Sequence, residues 1–318
     1  MSNIKYFIGP MSRNIVDAVI GVGEVFGFIP SRRQVDYNGG YVNNWNTETF
    51  AKYVNGRVLI ERDHAGAGQG YTDDDGYESL KADCNNLSII HIDPWKKYND
   101  YEEGLNVCVS NLKFCHSLNR NIKFEVGTEA AIKEFCPSSL LKLLRDLETR
   151  LCPEIFDAIE YVTIQSGVGL DLGKMVNTGT FNLDHMTEMI NICKLFDKKS
   201  KEHNGDYLSD DEYKARFDLG LDAINIAPEF GQLETLCYLD EMGNDIEDYY
   251  QICYNSNRWQ QWVDDDFVPE NNKREVIKIC GHYVLSDDKF LLIKPNIDDK
   301  INRVIKNKLR ILHELVDK

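Results

Sequence analysis

The sequence predicts an α/β protein organised as a TIM-type (β/α)8 barrel with a C-terminal helical extension. Three observations carry this. Short β-rich apolar runs alternate with longer amphipathic segments, the pattern of parallel βαβ units. Each run ends in polar, Gly or Pro residues, as expected where strands open onto a common face. Seven such runs fall within about 230 residues, which suits a closed barrel better than an open doubly wound sheet.

The strands follow in order. Tyr6-Phe7-Ile8 ends at Gly9-Pro10, and Phe26-Gly27-Phe28-Ile29 at Pro30-Ser31. Val58-Leu59-Ile60 runs through Glu61-Arg62 to Asp63-His64, and Leu87-Ser88-Ile89-Ile90-His91-Ile92 reaches Asp93-Pro94. Ile122-Lys123-Phe124-Glu125-Val126 ends at Gly127-Thr128, and Tyr161-Val162-Thr163-Ile164 at Gln165-Ser166-Gly167. Ala223-Ile224-Asn225-Ile226 ends at Ala227-Pro228. Helical patterns lie between them at 14–25, 47–54, 101–118, 138–151 and 184–196, with Ser138-Ser139 and Asp184 where N-caps belong. The eighth strand falls by elimination between Phe196 and Tyr207, in a stretch too polar to announce itself. The barrel is thus assigned to residues 1–241. From Met242 the pattern changes to Asp-rich, Trp- and Tyr-bearing helical segments, so 242–318 is expected to be a helical extension packed on the barrel or on a neighbouring subunit.

Composition narrows the function. With 318 residues, 42% hydrophobic and 28% charged, the chain can bury a large core. A net charge of −16 repels nucleic-acid backbones and anionic membranes, so neither is an expected partner. No apolar run approaches the roughly 20 residues that span a bilayer, and no secretory leader is visible. Nine scattered cysteines without a Cys-x-x-Cys pair read as reduced thiols. A cytoplasmic protein is expected.

In a parallel barrel all strand ends converge, so distant residues can share one cup. The polar side chains there are Gln34, Asp63, His64, His91, Asp93, Glu125, Glu129, Gln165, Asp171, His203 and Asn225. Imidazoles with carboxylates suit a divalent metal of the zinc or manganese kind. A metal polarises a carbonyl while a nearby acid such as Asp63 or Glu129 moves a proton, which is aldol chemistry in outline. Each residue also has a structural reading. His91, on an apolar strand, reads more readily as a hydrogen-bonded interior imidazole. Glu125 requires a partner, and a Lys or Arg would serve as well as a metal. His203 lies in a charged stretch that otherwise reads as surface. Arg32-Arg33 is either a substrate-phosphate site or a surface pair. Gly66, Gly68 and Gly70 match neither a dinucleotide fingerprint nor a P-loop.

The string Gln34-Val35-Asp36-Tyr37-Asn38-Gly39-Gly40-Tyr41 resembles a segment of the tagatose-bisphosphate aldolase accessory-subunit family. Asp63-His64, Ile90-His91-Ile92-Asp93, Val126-Gly127-Thr128-Glu129, Gln165-x-Gly167-Val168-x-x-Asp171 and Ile226-Ala227-Pro228 follow in the same order. That family, some of whose members carry a tagatose-6-phosphate kinase label that nothing in these residues supports, is related to class II ketose-bisphosphate aldolases and to ketose and keturonate epimerases. The resemblance implies a metal-dependent aldolase or C4-type epimerase acting on a ketose or ketose phosphate. It implies Asp63 as acid/base, with Glu129 a second catalytic candidate, and His64, His203, Glu125 and Gln165 around the metal. Arg32, Arg33, Gln34, Asp93, Asp171 and Asn225 are the substrate-binding candidates. Gln165 stands where the aldolases place another metal-binding histidine. Zinc is the favoured metal, with manganese or magnesium as alternatives. The same resemblance leaves open a non-catalytic subunit that stabilises an aldolase partner, a homo-oligomer, and a sugar-binding barrel without turnover.

Overall fold

The computed structural model describes residues 4–23, 25–128 and 136–317. Glu129, one of the two catalytic candidates, lies outside the described residues. Among the described residues, ten strands appear: β1 (Tyr6–Ile8), β2 (Phe26–Phe28), β3 (Leu59–Ala65), β4 (Ile89–Ile92), β5 (Lys123–Val126), β6 (Ile159–Ile164), β7 (Val168–Asp171), β8 (Val176–Gly179), β9 (Lys199–Glu202) and β10 (Ala223–Ile226). Eight of them close a parallel barrel in the order β1-β10-β9-β6-β5-β4-β3-β2. The chain is a TIM barrel. The strand assigned by elimination is β9, the seventh barrel strand along the chain.

β9 tolerates a polar sequence because every polar side chain on it is paired. Ser200 and Glu202 face outward, where Asp222 accepts from Ser200 and Arg216 Nε donates to Glu202 at 2.7 Å. Lys201 faces the axis, and its ammonium meets Glu61 and Glu125. The sequence pattern gave no sign of β7 and β8, an antiparallel hairpin inserted after β6.

Two apolar regions hold the molecule. The larger lies between barrel and helices and continues into the C-terminal helices, taking in Ile15, Ile90, Leu144, Val276, Ile305 and Leu309. The smaller fills the barrel axis with Ile4, Phe7, Ile29, Ile89, Tyr161 and Ala223. Beyond Met242 come helices Glu247–Asn255, Lys273–Cys280, Asp288–Ile293 and Asp298–Glu314. In the last, Ile301, Ile305, Leu309 and Leu312 form one buried stripe at helical spacing. That helix packs against Arg13–Val22, the first helix of the chain. Among the described residues, no helix is long and apolar enough to cross a membrane.

Candidate active site at the barrel mouth

Strand alternation sets which side chains reach the axis. On β3, Leu59 packs in the axial core and Glu61 is wholly buried at Lys201, while the intervening Arg62 points outward and pairs with Asp83 at 2.7 Å. Strict alternation would bring Asp63 inward and turn His64 away. Instead, β3 shifts register against β4 between Arg62 and Ala65, and His64 adopts φ +42°. A left-handed backbone costs a residue with a side chain roughly 1–3 kcal/mol. Here it lets two adjacent residues face one cavity. On β4 and β9, plain alternation suffices: His91 follows Ile89 and His203 follows Lys201.

Asp63, His64, His91 and His203 form a cluster in which one ligating atom from each lies within 4.8 Å of all the others. The rings of His64 and His91 are 4.7 Å apart, those of His91 and His203 5.0 Å, and those of His64 and His203 5.4 Å. Each ring has one nitrogen held by an acceptor. His64 Nδ1 donates to Asp93 Oδ2 at 3.0 Å, His91 Nε2 to the Gly127 carbonyl at 3.0 Å, and His203 Nε2 to Glu125 Oε1 at 2.9 Å. Because those acceptors cannot donate, the neutral rings carry their lone pairs on His64 Nε2, His91 Nδ1 and His203 Nδ1. His64 Nε2 is 3.4 Å from Asp63 Oδ1. His91 Nδ1 is buried and, among the described residues, has no hydrogen-bond partner. Burial lowers the His91 pKa to about 4, with His64 and His203 adding to the shift, so the ring is neutral near neutrality.

A charged network supports this cluster from beneath. Lys201 Nζ lies 2.6 Å from Glu61 Oε2 and 2.9 Å from Glu125 Oε2, with all three side chains fully buried. Thr163 donates to Glu125 Oε1 at 2.9 Å and lies 3.1 Å from His91 Nε2, linking two of the rings. Although burial opposes it, Lys201 and then the imidazoles of His91 and His203 hold Glu125 well below the usual carboxylate range. Burial, reinforced by the Glu125 charge, pushes Glu61 well above it despite Lys201. Burial also works against an ionised Asp93, but the His64 hydrogen bond and nearby imidazoles keep its pKa low.

The structure redistributes several of the sequence-based assignments. Glu125 stands behind His203, its oxygens taken by Lys201, Thr163 and the imidazole, so it is an orienting carboxylate and not a member of the four-donor cluster. Asp93 orients His64 and accepts from Trp95 N; wholly buried, it has no face toward a substrate. Gln165 donates its amide Nε2 to the Thr128 carbonyl at 3.0 Å. Arg32 is a buried clamp on Asp36, Asp74 and the Gly66 carbonyl, which leaves nothing for a phosphate. Asp171 sits on the hairpin with Lys174, lining a separate cavity. Arg33 and Gln34 line a cavity of about 700 Å³ that also exposes Asp63. Asn225 is buried on β10, and its Oδ1 has no hydrogen-bond partner among the described residues.

Sequence reasoning underweighted His91, whose signal was parity: in Ile90-His91-Ile92 the flanking isoleucines face the helices and leave the imidazole on the axis. It also missed Lys201 and Thr163, which read as ordinary strand residues until the barrel closes.

No family model and no curated protein sequence matches the chain. Solved structures do. A probable tagatose-6-phosphate kinase from Sinorhizobium meliloti superposes with a TM-score of 0.76 at 12% identity, covering 98% of this chain and 99% of that one. A glycerol-complexed fructuronate-tagaturonate epimerase from Cohnella laeviribosi gives 0.66 at 10% identity, over 100% of this chain and 82% of that one. A fructose-bisphosphate aldolase from Campylobacter jejuni gives 0.60 at 12% identity, over 99% and 90%. The fold is shared with all three. These are the same kinds of protein as the relatives implied by the resemblance in sequence.

Proposed function

We propose that the protein is a divalent-metal-dependent enzyme of ketose metabolism, cleaving or forming a carbon–carbon bond by aldol chemistry or inverting a carbinol centre by retro-aldol cleavage and re-addition. The observation that carries this reading is His91 Nδ1, a buried lone pair without a partner among the described residues, set among two further imidazoles and a carboxylate. Leaving a polar atom so buried costs about 1–3 kcal/mol, a cost that a ligand at that point removes. The donor set fits a cation: three imidazoles, two oriented by carboxylates and one by a carbonyl, follow the usual arrangement of metal-binding histidines. Nitrogen donors favour zinc over magnesium. His91 supplies the third imidazole that Gln165 does not.

A cation held by His64, His91 and His203 would polarise a ketone carbonyl and stabilise negative charge developing on its oxygen. The chain's own groups do the rest. Asp63, partly exposed on the cavity wall, takes the hydroxyl proton as the bond breaks and returns it on re-addition. Glu125 and Asp93 keep the His203 and His64 rings in the ligating tautomer. Asn225 presents an amide oxygen to a substrate hydroxyl. The likeness to aldolases and to an epimerase supports both outcomes of one retro-aldol step.

The test is metal content and turnover of the purified protein. About one zinc per chain is expected, with ketose or ketose-phosphate turnover abolished in Asp63→Ala. His91→Ala should fail to retain the metal. Protein that stays inert after addition of zinc, manganese or magnesium would overturn the reading.

A further inference from the structure

We infer that the substrate is a ketose without a phosphate ester, and that Asp206 sets this selectivity by filling the helix terminus where a phosphate would be held. This rests on the ketose reading above and adds the substrate class and a specificity-determining residue.

A phosphate in a TIM barrel is frequently bound by the loops after the seventh and eighth strands, against the N–H groups that open a helix. Here those strands are β9 and β10, and the helix is Pro228–Met242. Its terminus borders the candidate site, since Ala227 and Pro228 line the same cavity as Asp63. The donors there are already taken. Asp206 Oδ1 accepts from Ala227 N at 3.0 Å and from Glu229 N at 2.8 Å. Pro228, between them, has no N–H to offer. Ala227 stands at the N-cap without a side chain that can accept, so the capping oxygen comes from the loop after β9 instead.

That loop is shaped to deliver it. Asn204 and Tyr207, on either side of Gly205-Asp206, both have φ +61°. Gly205 N donates to the Asn225 carbonyl at 2.9 Å, and a Cβ at Gly205 would collide with Ile224 Cγ2. Glycine therefore lets the loop press against β10. From the hairpin, Asn177 Nδ2 donates to the carbonyls of Asn204 and Asp206 at 2.8 and 3.0 Å. Asp206 ends up 2% exposed. A phosphate arriving here would have to displace a buried, braced carboxyl group. It would then lie beside Glu229, whose carboxylate is held by Tyr207 N and Lys308. Burial, reinforced by the Glu229 charge, pushes the Asp206 carboxyl up to about 8, but protonated or ionised its Oδ1 fills both donors. A hydroxymethyl end carries no charge and makes no demand on them. Rejecting the ester by occupation gives selectivity without any added contact to the free sugar.

The test is calorimetric titration of the zinc-loaded protein, with Asp63→Asn as the parent so that turnover does not interfere. Fructose or tagatose should bind at least ten-fold more tightly than its own 1-phosphate and 6-phosphate. Asp206→Gly vacates both N–H groups. It should bind inorganic phosphate at least ten-fold more tightly than the parent does, and should lose the preference for the free sugar. Asp206→Asn keeps an acceptor oxygen and should keep that preference; losing it would overturn selectivity by occupation. Thermal unfolding checks that each variant is folded, and the comparison of free sugars with their esters decides the matter if Asp206→Gly is not. An ester that binds as tightly as its free ketose, or equal phosphate affinity with and without Asp206, overturns this inference and leaves the enzyme reading intact. Wild-type protein inert towards every ketose with metal added sinks the enzyme reading, while the phosphate titrations still decide whether Asp206 closes the terminus.

Discussion

At the residue scale, the site depends on side chains that touch the ligating rings without ligating themselves. Asp93 is the clearest case. It is wholly buried, held ionised by His64, and fixes the tautomer in which His64 Nε2 carries the lone pair. Replacing it with Asn preserves shape but removes the charge and permits the amide to turn its NH2 toward the ring. Loss of such outer partners typically weakens metal binding about 10–100-fold. Asp93→Asn should show that loss in a chelator-competition titration, with little change in thermal unfolding of the metal-free protein. An unchanged affinity would mean that His64 is not a ligand. In the sequence, Asp93 was visible as a polar strand end but not as an orienter, since its role depends on the left-handed turn at His64 that brings the ring to it. That turn is set by the bulge between β3 and β4, which no local pattern in Arg62-Asp63-His64-Ala65 announces.

At the element scale, β9 shows why one barrel strand was readable only by elimination. Lys-Ser-Lys-Glu has the composition of a surface turn, and its partners Glu61, Glu125, Asp222 and Arg216 come from other parts of the chain. Removing one partner of a buried ionic group leaves charge without compensation, at a cost of about 3–5 kcal/mol. Lys201→Met should destabilise the fold by that order in urea denaturation, and Lys201→Met with Glu125→Gln should recover part of the loss, because Glu125 is the ionised partner. The helix Pro228–Met242 carries a second buried acid. Glu234 accepts from Ser12, the N-cap of helix Arg13–Val22, and from Asn14 Nδ2 at 2.9 Å. Burial raises its pKa above the ordinary 4.5, with Ser12 and Asn14 partly opposing. Below pH 4.5 both folded and unfolded states hold the proton, and this group costs nothing. As pH rises past 4.5 the unfolded state ionises first, so stability falls until the folded carboxyl ionises too. The stability difference between wild type and Glu234→Gln should therefore shift against the wild type as pH is raised from 4.5 toward neutrality. A difference that does not vary with pH would place Glu234 in contact with water.

At the scale of the whole molecule, the alternation of strands and helices made the barrel legible, but not the way the region beyond Met242 joins it. Its apolar residues belong to the same continuous core as the barrel helices, and helix Asp298–Glu314 lies along helix Arg13–Val22, so the first and last helices of the chain support each other. Residues 1–241 and 242–318 are thus better regarded as one folding unit than as a barrel with an appendage. A shared core couples the mouth to the C-terminal region, because Arg258 and Trp262 reach the cavity from a segment anchored by helices Glu247–Asn255 and Lys273–Cys280. Leu309 is fully buried in that stripe, and a Leu→Ala change at such a site costs about 2–5 kcal/mol. Leu309→Ala should lower the midpoint of a single transition, with circular dichroism and tryptophan fluorescence unfolding together. Two separated transitions, with the barrel keeping its wild-type midpoint, would show that the C-terminal helices fold independently and that the placement of Arg258 is not secured by the barrel.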